Sequence, residues 1–120
     1  MSRMSRNKGA RGENEVCDLV RAAGWPNASR NFASGARGLG DIAHGPALTV
    51  IESKFTDSFS IRACWAQVSR DAQRAGPGYL PVLAHRWSRG TWEDGRATPP
   101  WLGITELDEL LALLQLRERS

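Results

Sequence analysis

The segment GDIAHGPALTVIESK, residues 40–54, decides how this 120-residue chain is read. It places an aspartate, a Gly-Pro turn and an apolar β-branched run ending Val-Ile-Glu-Ser-Lys within fifteen residues. The run Leu48 to Ile51 has the composition of a central strand. Side chains alternate along a strand, so Glu52 and Lys54 share a face. With a hairpin symmetric about Gly45-Pro46, Asp41 stands opposite Val50 and diagonal to Glu52. Diagonal neighbours are about 7–8 Å apart at the backbone and closer at the side-chain tips. A register slip of one residue would turn Asp41 to the other face.

Two carboxylates against a core repel each other and are costly to leave unpaired. A divalent ion relieves that cost. Mg²⁺ takes oxygen ligands, uses few protein carboxylates and keeps several waters, and Mn²⁺ is its expected substitute. Lys54 beside such an ion can orient water or stabilise charge on a phosphate, which is the chemistry of phosphodiester hydrolysis. The competing reading is an exposed strand face on which Lys54 bridges Glu52 or Asp41.

Outward from this segment the elements follow from periodicity. Val16, Leu19, Val20 and Ala23 predict a helix over 8–23, with Gly24 as its stop and Glu13 one turn before the apolar stripe. Residues 1–8 read as a flexible basic arm, and 9–120 as one domain. A short strand is expected near 29–32, then a glycine-rich loop, then two strands in the quoted segment. Ile61, Cys64, Trp65, Val68 and Ala72 predict a second helix over 60–75, which carries Gln67. YLPVLAHRW (79–87) reads as a strand begun at Pro81, a hairpin is possible at Asp94-Gly95, and WLGI (101–104) is a final strand. Thr105 is the expected cap of a last helix, with Asp108 completing a variant capping box. Leu107, Leu110, Leu111 and Leu114 form its apolar face. The order α-β-β-β-α-β-β-α implies a mixed α/β sandwich with a central sheet.

Composition excludes other classes. The longest apolar run, near 110–116, is interrupted by Gln115 and too short to span a bilayer. The N-terminus is basic but lacks the apolar stretch of a secretory signal. Two cysteines without a CxxC motif read as reduced thiols packed in a cytoplasmic protein. The net charge of +3 hides an asymmetry: residues 1–90 carry thirteen Lys/Arg against seven Asp/Glu, while residues 91–120 carry three against six. A basic body suits a polyanionic partner, and a solubilising surface is the plain alternative. Lys8, Arg11 and Arg37 lie where a nucleic-acid backbone would approach the acidic pair. Trp87, Trp92 and Trp101 can form a satellite core or an interface.

The stretches KGARGENEVCDLVRAAGW, SRNFASGARGLGDIA and TVIESK carry a resemblance. Gly-Asp followed by Ile-Glu-Ser-Lys resembles the Asp…Glu-x-Lys core of the PD-(D/E)xK nuclease superfamily, and more narrowly archaeal-type Holliday-junction resolvases and related phage proteins. The resemblance covers residues 8–86. It implies a restriction-endonuclease-like fold, a mixed β-sheet flanked by helices with an α-β-β-β-α-β core. It further implies Asp41 and Glu52 as metal ligands with the backbone carbonyl of Ser53, Lys54 as the catalytic lysine and Glu13 as the helical acidic residue. Ser34 matches the loop that approaches DNA, and Arg11 and Arg30 match basic positions there; Gln67 stands where superfamily members often place an accessory polar residue on the second helix, a solvent-facing glutamine being the alternative. Gly40 departs from the pattern, standing where the family places a proline. The expected activity is a Mg²⁺-dependent, structure-selective endonuclease, foremost a resolvase of four-way DNA junctions acting as a homodimer. The alternatives are a nicking, flap or restriction-like nuclease of the same superfamily, or a DNA-binding module of this fold that does not cleave. A phage origin would place the protein in the host cytoplasm.

Overall fold

The computed structural model describes residues 3–32, 40–58, 60–89 and 95–120. Its elements are α1 (Arg3–Ala22), β1 (Ser29–Arg30), β2 (Ile42–Ala43), β3 (Thr49–Phe55), α2 (Ile61–Ala75), β4 (Leu80–Arg86), β5 (Leu102–Ile104) and α3 (Leu107–Glu118). Their order is the one that periodicity predicts. β1 and β2 form an antiparallel pair, and β3, β4 and β5 form a separate mixed sheet in that spatial order. β3 and β4 run parallel, with Val50 beside Pro81 and Glu52 beside Leu83; β5 runs antiparallel to β4. The parallel pair requires a crossover, which α2 supplies.

The sheet corrects one expectation. β3 is an edge strand and β4 is central. β3 nevertheless reads as a buried strand because each of its faces is covered. Val16 and Cys17 of α1 pack with Ile51, Ala28, Ile42 and Ala84 on one side. Val68 and Ala72 of α2 pack with Val50 and Leu83 on the other. Burial on both faces produces a continuous apolar run whether or not both edges are paired. Pro81 is tolerated in the central strand because β5 pairs only from Leu83 onward, and the Pro81 carbonyl accepts instead from the Thr105 hydroxyl at 2.9 Å.

α1 begins at Arg3, so the stretch read as a flexible arm is largely helical. Two glycines of α1 just beyond that stretch, Gly9 and Gly12, weaken the helical signal. At Gly12 the reason for glycine is tertiary. A Cβ there would come within 2.8 Å of the Phe55 Cβ, so its absence lets α1 close on β3. Within α1, Val16 and Cys17 are buried whereas Leu19 is exposed.

Helix α2 is capped by Ser60, whose hydroxyl accepts from the Ala63 N–H at 3.2 Å, and ends at Gly76 with φ +132°. The ends of α3 differ from expectation. Glu106 is its cap residue and makes no side-chain capping bond, because the Thr105 hydroxyl is taken by Pro81. None of the α3 residues is buried. Leu48 has a positive φ of 53° and lies outside β3, 56% exposed. The hairpin expected at Asp94-Gly95 and the side chain of Trp92 lie outside the described residues.

Candidate metal-assisted hydrolytic site

Asp41 reaches its place through the backbone. Its N–H donates to the Ile51 carbonyl at 2.8 Å, and its own carbonyl accepts from the Asn31 N–H at 2.8 Å. The hairpin symmetric about Gly45-Pro46 is not formed; the chain turns through His44 (φ 60°) and Leu48, and Asp41 docks along the free edge of β3 instead. Gly40 makes this approach possible. It is buried, has φ +79°, and a Cβ on it would lie 2.7 Å from the Ile51 carbonyl oxygen and 2.9 Å from a Val50 methyl. Only glycine fits a left-handed residue pressed against a neighbouring backbone. A proline would be locked at negative φ, so the departure from the family pattern has a local cause.

The Asp41 Oδ2 accepts from the Ser53 N–H at 2.8 Å and faces the Ser53 hydroxyl at 3.4 Å. N–H and C=O of one strand residue point the same way. The Ser53 carbonyl therefore opens on the edge where Asp41 sits, while the even-numbered residues of β3 bond towards β4. This is the carbonyl that the resemblance implies as a ligand.

Glu52 lies on the α2 face of β3 and is only 7% exposed. Burial is the main force on its carboxyl; hydrogen-bonding contact with Asp71 and the charges of Asp41 and Asp71 act in the same direction. Together they push its pKa up to about 9. Asp41 and Glu52 are thus brought together. Asp71 joins them, a residue the sequence reading passed over. The available signal was spacing. Asp71 is one turn beyond Gln67 on the same face of α2, and Gln67 itself is exposed. Asp71 is itself tethered to Arg74 at 3.5 Å.

Lys54 is half-buried on the same strand face as Glu52 and makes no ion pair with any described residue. The Lys54 salt bridge of the competing reading is not formed. The three carboxylates do not close into a cage: among the described residues no three His, Cys, Asp or Glu side chains are spaced to hold a metal by themselves. The donor set that remains consists of hard oxygens, namely two carboxylates and one backbone carbonyl. It is crowded with like charge, and no described cation forms an ion pair with Asp41 or Glu52. That chemistry fits a divalent ion that keeps waters of its own.

Glu13 is not joined to this cluster. It is held by Arg30 at 2.8 Å, and Arg30 in turn lies over the exposed Phe32 ring, 4.7 Å from its centroid. Arg11 pairs with Glu15 at 3.0 Å. Burial raises the Glu15 carboxyl, but hydrogen bonds from Trp101, Arg11 and Arg86 outweigh it and hold its pKa below the usual range. Lys8, Arg11 and Arg86 all surround the Phe55 ring at 5.1–6.0 Å. Lys8, Arg11 and Phe55 border an open cleft of about 370 Å³ that Asn7, Ser88 and Arg89 complete. This basic cleft lies at the C-terminal end of β3, on the α1 face. Ser34 and Arg37 lie outside the described residues. The isolated histidines stay apart from the carboxylates: His85 is buried, with Nε2 3.2 Å from the Thr56 carbonyl and its ring edge-on to Trp87. Both cysteines are free, and burial pushes the Cys17 thiol up.

No protein-family model and no curated protein sequence matches this chain. Among the described residues, no helix is long and apolar enough to cross a membrane.

Proposed function

We propose that this chain is a Mg²⁺-dependent DNA endonuclease of the PD-(D/E)xK type, with a restriction-endonuclease-like fold and four-way junctions as its foremost substrate. One observation carries the reading. Asp41 and Glu52 meet at the free edge of β3 beside the Ser53 carbonyl, with Lys54, which pairs with no described residue, on the Glu52 face. The α-β-β-β-α-β order and the parallel β3–β4 pair accord with the fold.

Asp41, Glu52 and the Ser53 carbonyl would hold the ion. A divalent cation there supplies Lewis acidity and stabilises the charge of a phosphodiester under attack. The Ser53 N–H fixes the Asp41 carboxylate by occupying its Oδ2. Lys54 orients a water and places positive charge beside the scissile phosphate. Glu52 binds its proton tightly beside Asp71 and Asp41, so cation binding and proton release are coupled. Lys8 and Arg11, which line the basic cleft, meet DNA phosphates, contacts that position the backbone and carry little sequence information. A four-way junction is two-fold symmetric, which suits two copies with one site each.

The test is cleavage of supercoiled plasmid and of a junction, flap and duplex panel in Mg²⁺ or Mn²⁺. Wild-type protein should cut the junction best, and Asp41→Asn and Lys54→Ala should abolish cutting while retaining binding. Equal cutting by Asp41→Asn would show that the ligand is misassigned. Preference for flaps or linear duplex would move the chain to another nuclease class.

A further inference from the structure

The last helix does not belong to the core. The sequence LDELLALLQLRE of α3 holds six leucines, and every one of them is at least 41% exposed, Leu107 at 67% and Leu116 at 58%. Among the described residues, α3 packs substantially against no other element. A surface helix of a lone domain normally turns its apolar stripe inward. Here Leu107, Leu110, Leu111 and Leu114, at steps of three and four, form a stripe that is largely exposed and packs substantially against no described element. An apolar patch of this kind on a soluble domain marks an interaction surface.

The charges around the stripe say what covers it. Glu106, Asp108 and Glu109 stand at the start of α3, and Arg117 and Arg119 at its end, with Glu118 between them. A surface that is acidic at one end and basic at the other is complementary to itself when turned end for end. Setting Leu111 of one helix against Leu114 of another brings Glu106 and Asp108 beside the partner's Arg117 and the partner's Arg119. The opposite ends meet in the same way. A parallel pair would set three carboxylates against three.

We infer that α3 is a self-association helix, pairing antiparallel with α3 of a second copy about a two-fold axis. Such a contact is isologous and closes at two copies. A twelve-residue helix is about 18 Å long, and two of them bury less than the roughly 800 Å² per partner of a standard interface. The contact is therefore smaller than a standard interface, and the dimer is weak. This inference deepens the nuclease reading, which calls for two copies, by naming the contact between them, and its test does not depend on cleavage.

The experiment is sedimentation velocity of the full chain at low ionic strength, up to about 200 µM. Wild-type protein should pass from monomer to dimer with rising concentration. One variant, Glu106→Lys with Asp108→Lys, makes both ends basic; a second, Arg117→Glu with Arg119→Glu, makes both ends acidic. Each alone should dimerise at least tenfold more weakly, and an equimolar mixture should recover the wild-type affinity. Because α3 buries no residue, both variants should keep the wild-type thermal midpoint at low concentration. A wild-type chain that stays monomeric across the range would overturn the inference. So would variants that dimerise as well as wild type, or a mixture no better than its parts.

Discussion

Replacing Glu52 by glutamine should make the domain more stable at alkaline pH. Glutamine keeps the shape and hydrogen-bonding capacity of a protonated glutamic acid but cannot ionise. In the folded chain the Glu52 pKa is about 9, against an ordinary value of 4.5, because the group is buried beside Asp71 and Asp41. A carboxyl whose folded pKa lies above its unfolded one holds its proton more tightly in the folded state. Its contribution is therefore most favourable below 4.5, is lost as pH rises, and levels off above about 9. For one proton the slope is about 1.4 kcal/mol per pH unit, so wild-type protein loses about 4 kcal/mol between pH 5 and pH 8 through this group. That is a large part of the roughly 5–15 kcal/mol that holds a domain together. The assay is urea unfolding at pH 5, 6.5 and 8 with EDTA present, comparing wild type with Glu52→Gln. The difference between the two isolates Glu52 from other titrating groups such as Glu15 and His85. It should widen with pH in favour of the variant, and Mg²⁺ at pH 8 should restabilise wild type alone. Parallel pH profiles would refute the placement of Glu52 in a buried, carboxylate-crowded site.

The other predictions concern the residues that build that site. Asp71→Asn removes one of the two crowding carboxylates, so the pH-dependent loss in wild type should shrink while α2 stays folded; pH-resolved urea melts would measure it. Gly40→Ala forces a Cβ to within 2.7 Å of the Ile51 carbonyl at φ +79°, and should destabilise by about 2–3 kcal/mol in denaturant melts. An unchanged midpoint would mean that residue 40 does not approach β3 as described. Leu83→Ala empties a position with no solvent exposure at the centre of the sheet and should cost about 2–5 kcal/mol by the same assay.

Local pattern determined the elements. Helix α2 was legible from its apolar spacing, because amphipathicity acts within a few residues of the chain; its Ser60 cap was not read. Strand β3 was legible from its β-branched run. Asp41 and Glu52 were legible as a pair because they flank one turn, although the hairpin parity used to place Asp41 does not hold. Tertiary structure decided what depends on distant partners. β4 became central because β5, arriving from residue 102, pairs with it and not with β3. Asp41 came to a free edge through the close approach of Gly40, not through a symmetric hairpin. Asp71 entered the site because the crossover lays α2 across the Glu52 face, and Gln67, one turn earlier, was left in solvent. Glu13 was taken by Arg30, which the β1–β2 pair brings beside α1. The leucines of α3 have the same helical spacing as those of a core helix. Periodicity shows that a face is apolar, but only packing shows what covers it, and within this chain nothing described does.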